Sequence, residues 1–344
     1  MGMQVYERAI DARADVAFDS AAPGATIQRI VVRSVRAPLA GNRRLPMRAV
    51  WRAPAGVRRE IGRGLYPGRG PVHRLDLTLP PSPHGDIITV HDLAPLRFDD
   101  EGRLPPAARE ELVQASAVIT VSTFSAGELT HLLGAVDPIV IPNGVDHDRF
   151  AGAHPLDETQ LQALGIRAPF VLAAGGASSR KNLKGLAQAW QIVRGARPDV
   201  ELVLTGPPHP RRDALFAEMP GVVRVGRVND DVLPRLLAGC RALAIASLYE
   251  GFGLPAIEGM AAGVPVVAMD AGALPEVVGD TAVLADRTAG SLAEGILWAL
   301  SDDRVIRDKV AAARRRSLDF TWERSAEAHA RVWADVIAGR TPAV

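Results

Sequence analysis

Two glutamates, Glu250 and Glu258, flank the string Gly251-Phe252-Gly253-Leu254-Pro255, with seven residues between them. Carboxylates are acceptors that pair well with vicinal hydroxyls. Gly251 and Gly253 have no Cβ, so a ligand can lie against their backbone. Pro255 suits the first position of a helix, where its missing N–H is not needed. Gly263 suits the exit. The N–H groups at that helix start point outward and favour an anion. One carboxylate can then reach a substrate hydroxyl while the other holds a second polyol, with the anion between them. A ligand with a sugar at each end and a diphosphate in the middle has that form. A surface loop with two solvated glutamates is the plainer reading, and the full string argues against it.

A second cluster is Gly175-Gly176-Ala177-Ser178-Ser179-Arg180-Lys181-Asn182. Small residues followed by two cations at a helix start bring N–H groups, dipole and positive charge together, which suits a diphosphate. A capped loop with solvated cations is the competing reading. His91 follows the apolar run Ile87–Val90, which reads as a buried strand. In open α/β sheets, ligand sites lie at the carboxyl ends of strands. A lone histidine is usually structural, and this position moves the balance towards function.

The Glu250–Glu258 string, with Gly-Phe-Gly-Leu-Pro inside it, resembles the signature of the retaining GT-B glycosyltransferases of family four. In that family the first Glu contacts the donor sugar, the second contacts the donor ribose, and the backbone between them binds the diphosphate. The resemblance assigns those roles to Glu250, Glu258 and the backbone of Gly251, Phe252, Gly253 and Leu254. Val90-His91-Asp92-Leu93 resembles the family's His-Asp-Leu, which puts His91 near the donor sugar and the reacting centre. Asp92 would orient His91 or cap a turn. Arg180-Lys181-Asn182 resembles the family's Arg-Lys-Asn, in which the Lys grips the phosphates. Many relatives carry an Arg six residues before that Lys, where this chain has Gly175. Either Arg180 substitutes for it or the charge comes from elsewhere. Gly226-Arg227-Val228 matches the place where relatives hold the base by backbone contacts, so Val228 is a donor-binding residue on this reading. Asp270 to Gly279 follows the family pattern and is expected only to form the floor of the site.

The resemblance implies transfer of a sugar, with a lean towards mannose or a related hexose, from a nucleoside-diphosphate-sugar. The acceptor would be a glycan, a lipid-linked molecule or a natural product. The anomeric configuration would be retained by a front-face route. The implied catalytic residues are His91, Lys181 and Glu250, with Lys181 and Arg180 neutralising the departing diphosphate. Neither a metal nor another cofactor is expected. Two alternatives stand beside this: a nucleotide-sugar epimerase on the same fold, and a degenerate glycosyltransferase acting as a non-catalytic partner.

Loops at strand ends must position these groups, and the strands are legible as apolar runs. In the second half, strands are expected at Phe170–Ala174, Val200–Leu204, Val222–Val225, Ala242–Ala246 and Val264–Met269. Helices at Lys184–Val193, Arg212–Glu218 and Asp231–Leu237 alternate with them, which indicates a doubly wound parallel sheet. In the first half, Met3–Ile10 opens an amphipathic helix. Strands are expected at Ile30–Val35, Leu75–Leu79, Ile87–Val90 and Ala117–Val121, and helices at Gly56–Leu65 and Leu104–Gln114. Relatives have a strand and a Gly-rich loop before their first helix. The resemblance implies that this chain starts within that loop, which would make Gly2 a donor contact and leave the first strand missing or replaced. The expected architecture is α/β: a GT-B fold of two Rossmann-like doubly wound parallel-sheet domains facing across a cleft. Residues 1–150 would bind acceptor and 165–318 the nucleotide-sugar, with 319–344 a helix crossing back to the first domain.

The 344 residues carry a formal net charge of +1 and one cysteine, Cys240, so an internal disulfide is excluded. No apolar run reaches the length of a membrane span, and Met1 to Arg8 lacks a signal-peptide pattern. A cytoplasmic protein is expected. Between Arg29 and Arg74 there are twelve arginines and one acid, Glu60. Such a stretch could face an acidic acceptor or anionic lipid head groups, giving peripheral association at the inner membrane face. An arginine-rich surface of no function is the competing reading. No recognition motif accompanies the charge, so nucleic acid is not expected as a partner.

Overall fold

Phe170–Ala174 and Ala242–Ile245 become the two central strands of a parallel sheet. Their near-continuous apolar sequence is what burial on both faces demands. The computed structural model describes residues 2–68, 70–135, 137–167 and 169–342. Its strands, in chain order, are β1 Val32–Ser34, β2 Arg43–Leu45, β3 Val72–Arg74, β4 Asp86–Val90, β5 Ala117–Thr120 and β6 Ile139–Val140, then β7 Phe170–Ala174, β8 Glu201–Thr205, β9 Val222–Gly226, β10 Ala242–Ile245, β11 Val266–Met269 and β12 Val283–Ala285. The chain divides into two compact units. One runs to Gly144 and resumes at Trp322, and the other spans Val145–Thr321. The expected limits at 150 and 318 therefore shift. Val145 bridges Thr321 and donates its N–H to the Phe320 carbonyl, which ties both ends of the second unit together.

In the second unit the described strands form one parallel sheet in the order β12-β11-β10-β7-β8-β9. Chain order reverses between β7 and β10, which pair at Val171–Ala242 and Leu172–Leu243. This is the topological switch point at which open α/β sheets bind ligands. Helices cover both faces, and Trp190, Phe216, Val267, Met269 and Ile296 share the core with the strands. Cys240 is buried among apolar groups, and burial pushes its thiol up to about 12, so it packs as an inert hydrophobe.

The first unit carries the parallel sheet β3-β4-β5-β6 and a separate β1-β2 pair. The expected opening helix runs from Gly2 to Ala21 and buries Tyr6, Ile10, Ala14 and Phe18, one residue per turn on a single face. It packs against the helix Trp322–Ile337.

Two expected elements are displaced. The strand foreseen at Leu75–Leu79 lies instead at Val72–Arg74, paired with β4. Side chains claim the backbone beyond it. Asp76 accepts from the Thr78 N–H at 2.6 Å, and Arg58 takes the Leu77 and Leu79 carbonyls at 2.9 and 2.8 Å. The helix foreseen from Leu104 begins at Ala108, because Pro105 and Pro106 disfavour helical backbone in the residues before them.

The arginine-rich stretch is also not uniformly a surface. Arg58 and Arg74 are fully buried and share Glu111, and Arg74 also forks onto Asp86 at 2.8 and 2.5 Å.

Candidate functional site

The segment after β7 and the segment after β10 meet at the switch point. Arg180 and Lys181 lie in a short 3-10 turn, Ser179–Lys181. Asn182 follows in a left-handed conformation and caps the helix Leu183–Ala196 by accepting from the Gly185 N–H. The cations thus stand in the turn that leads into the helix. Across the crevice, Lys181 Nζ lies 2.5 Å from Glu250 Oε1 and Arg180 Nη1 lies 3.0 Å from Oε2. Arg180 also donates to the Tyr249 carbonyl at 3.3 Å, and its own carbonyl accepts from the Leu248 N–H at 2.8 Å. Burial alone would raise the Glu250 carboxyl. Lys181 and Arg180, with hydrogen bonds from Lys181 and Ser247, outweigh burial and hold the pKa below the usual carboxylate range.

Gly251, Phe252 and Gly253 carry the chain from Glu250 into the helix Leu254–Ala262. Gly253 takes φ 104°, and a Cβ there would come within 2.8 Å of Leu274, so conformation and space both require glycine. No side chain caps this helix start. Phe252 itself is buried edge-on to Phe320, with ring centroids 5.7 Å apart, so only its backbone is available to a ligand. Glu258 is half-buried on the same helix and makes none of the Glu250 contacts. Burial pushes its carboxyl up to about 7, with Arg149 opposing. Val228 lies half-buried just beyond β9, and Gly226 before it accepts from the Gly206 N–H at 2.8 Å. Gly175 follows β7 at φ 143°, and a Cβ there would point at the Lys181 stem, 3.8 Å away.

Sequence reasoning missed three supports of Glu250. Ser247 donates to its carboxylate. Ala273 N–H holds its carbonyl at 2.9 Å. Gly272, at φ 61°, lies so close that a Cβ would stand 2.5 Å from the Glu250 oxygen. The segment after β11 therefore fixes the Glu250 backbone and does more than form a floor. Its left-handed glycine beside a tight turn was the available signal.

In the first unit, His91 directly follows β4 and packs edge-on to Tyr6, with centroids 4.5 Å apart. Its ring bonds the Leu75 backbone, and Nε2 is buried without a partner. The hydrogen-bond pattern therefore puts the proton on Nδ1 and leaves Nε2 as a bare acceptor. Asp92 caps a turn by accepting from the Ala94 N–H at 3.0 Å. Gly2 is exposed and begins the helix that carries Tyr6.

Behind His91 runs a hydrogen-bonded series: Trp333 Nε1 to His73 Nδ1 (3.1 Å), His73 Nε2 to Thr89 Oγ1 (2.8 Å), Thr89 to Tyr6 Oη (3.0 Å), Tyr6 to His329 Nε2 (2.7 Å) and His329 Nδ1 to the Ser325 carbonyl (2.7 Å). The indole can only donate, so His73 Nδ1 accepts and its Nε2–H donates to Thr89, which makes His73 neutral; the Ser325 carbonyl can only accept, so His329 Nδ1 carries a proton. Burial pushes His91 and His329 down to about 4 and lowers His73 as well. Above pH 6.5 these rings are neutral folded or unfolded. Below it, only the unfolded chain takes up their protons, so stability falls as pH drops from about 6.5 towards 4. Each such proton contributes about 1.4 kcal/mol per pH unit. His329→Gln will flatten the slope of unfolding free energy against pH by roughly that amount between pH 6 and 4.5. Identical slopes in denaturant titrations would contradict the assignment.

Among the described residues, no group of three or more His, Cys, Asp or Glu is placed to hold a metal ion. No described helix is long and apolar enough to cross a membrane.

Residues 168–302 match the glycosyl transferases group 1 family. The O-antigen chain mannosyltransferase B of Escherichia coli is 34% identical over 226 residues, 62% of this chain and 59% of the relative. The MMP alpha-(1->4)-mannosyltransferase of Mycolicibacterium hassiacum is 33% identical over 240 residues, 65% of this chain and 55% of the relative. The matched region therefore spans little more than half the length of these two relatives. Among solved structures, the sucrose-phosphate synthase of Thermosynechococcus elongatus superposes with a TM-score of 0.68 at 24% identity, covering 81% of this chain and 76% of that one. Residues 168–302 thus form a glycosyl transferases group 1 domain, in a chain with the α/β architecture of the GT-B glycosyltransferases.

Proposed function

We propose that the chain transfers a hexosyl group from a nucleoside-diphosphate-sugar to a hydroxyl of a glycan or lipid-linked acceptor, with retention and without a metal. The observation that carries this is Glu250 held between Lys181 and Arg180 at the switch point. A diphosphate entering there meets two cations already gathered, and little rearrangement is needed to stabilise the charge that develops on the leaving group. Glu250 is then free to take a sugar hydroxyl. The start of the helix Leu254–Ala262 supplies N–H groups to the phosphates. Glu258 would take the ribose, Gly175 and Val228 would line the donor, and Gly2 would contact it. In the first unit, the bare Nε2 of His91 suits a hydroxyl donor on the substrate. The names of both mannosyltransferase relatives support mannose as the sugar and a saccharide as the acceptor. A lipid-linked acceptor would place the enzyme in the cytoplasm at the inner membrane face, where exposed Arg43 and Arg44 could meet anionic head groups. The assembled cluster speaks against a degenerate, non-catalytic protein.

Calorimetry with UDP, GDP and dTDP tests the reading. One nucleotide should bind in the micromolar range. Ribose hydroxyls donating to Glu258 favour its ionised form, so binding near pH 7 should release up to about half a proton. The release shows as a dependence of the heat on buffer ionisation enthalpy. Glu258→Ala should bind more weakly and release fewer protons, keeping only those from the terminal phosphate. Absence of binding by all three nucleotides would overturn the proposal.

A further inference from the structure

Arg212 is a buried cation with no carboxylate among its hydrogen-bond partners. It lies on the helix Pro210–Phe216, after β8, and is 4% exposed. It shares a pocket wall with Gly175, Gly176, Lys181, Ser247 and Glu250. Nη2 donates to the carbonyls of Gly175 and Gly176, the latter at 3.1 Å, and Nη1 donates to Pro207 at 3.1 Å. Nε is buried and makes no hydrogen bond. Burial lowers the guanidinium pKa, opposed only by the adjacent Asp213. Arg58 and Arg74, the other deeply buried arginines among the described residues, are matched by Glu111 and Asp86. A buried charge without such a partner is costly to maintain, and carbonyl dipoles compensate it only in part.

The backbone around Arg212 is built to admit it. Gly206, at φ 127°, directly follows β8, and a Cβ there would lie 2.0 Å from the Gly175 carbonyl oxygen and 3.1 Å from Arg212 Nη2. Only glycine lets the turn after β7 and the guanidinium close on each other. The position where many relatives place an arginine is Gly175. The guanidinium that approaches it here comes from a different strand-to-helix connection.

We propose that Arg212 is a phosphate-binding residue of the donor site. It grips the Gly175–Gly176 turn by its carbonyls and presents its charge and remaining N–H groups to the diphosphate. This rests on the donor-site reading above and adds to it the residue that makes up for Gly175. Lys181, Arg180 and Arg212 bring three positive charges, and Glu250 cancels one. The two that remain match the diphosphate of a nucleoside-diphosphate-sugar.

The test compares Arg212→Gln, Arg212→Lys and Lys181→Ala with the wild type, using UDP, GDP, dTDP and inorganic pyrophosphate as probes in calorimetry and thermal unfolding. Arg212→Gln should weaken the preferred nucleoside diphosphate about tenfold or more. It should also lose the thermal stabilisation by pyrophosphate, measured as the ligand-induced rise above its own ligand-free melting temperature. Arg212→Lys, which keeps charge but not the planar fork, should recover part of the affinity. Wild-type affinity in Arg212→Gln, with binding lost in Lys181→Ala, would overturn the proposal and leave the donor site standing. Equal loss of binding and of ligand-free stability in both Arg212 variants would reduce Arg212 to a brace of the turn, which also overturns it. No nucleotide binding by the wild type would remove the donor-site reading itself.

Discussion

Glu250→Gln will bind the nucleoside diphosphate more tightly than wild type while losing turnover. The carboxylate occupies both cations in the ligand-free site, with Lys181 at 2.5 Å and Arg180 at 3.0 Å. A diphosphate must draw these cations away from it or share them. Removing the negative charge removes that competitor, and a gain of about tenfold, or 1.4 kcal/mol, is expected. The same change deprives the sugar of its acceptor, so turnover should fall by about a hundredfold or more. Lys181→Ala should act in the same direction on turnover and in the opposite direction on affinity. Product-inhibition constants and donor-hydrolysis rates on the two variants provide the comparison. Weaker product binding in Glu250→Gln would show that the carboxylate organises the cations and does not compete for them.

Glu111→Ala should destabilise the first unit by about 3–5 kcal/mol, the range found when one partner of a buried charge cluster is removed. Arg58, Arg74 and Glu111 have fully buried side chains, and Asp86 is nearly so. Arg74 keeps Asp86 after the change, but Arg58 keeps only carbonyls: Val50 at 3.0 Å, Leu77 at 2.9 Å and Leu79 at 2.8 Å. Loss on this scale is a large part of a typical domain's stability. Urea unfolding followed by tryptophan fluorescence will measure it, and a cost under about 1 kcal/mol would mean that water reaches the cluster. Glu111→Gln should cost less, because an amide oxygen still accepts from one guanidinium.

Legibility followed distance along the chain. The Glu250–Glu258 and Arg180–Asn182 strings announce themselves because each is short, sits at a strand end and couples glycines to charge. The strands of the second unit were readable because burial on both faces forces unbroken apolar runs. Arg212 and Gly272 were not readable as parts of the site. Their relevance depends on β8 and β11 flanking the central pair, a fact of strand order that no local pattern carries. Leu75–Leu79 failed for a related reason. Its alternating pattern is that of a strand, yet Arg58, some twenty residues away, competes for its carbonyls. Glu111 looked like any helix surface acid because both of its arginines are remote in sequence.

The reversal of strand order between β7 and β10 has a consequence for modularity. The contact between Lys181 and Glu250 joins residues 69 apart in the chain, and everything between them must be folded before the cations meet their carboxylate. Neither signature string holds the site by itself. On the proposed function, a fragment ending after β9 would carry the cations without the acceptor for the sugar, and a fragment starting at β10 would carry Glu250 without the cations. On that reading, donor recognition is therefore a property of the assembled sheet. Grafting either motif onto another scaffold transfers half of a reagent.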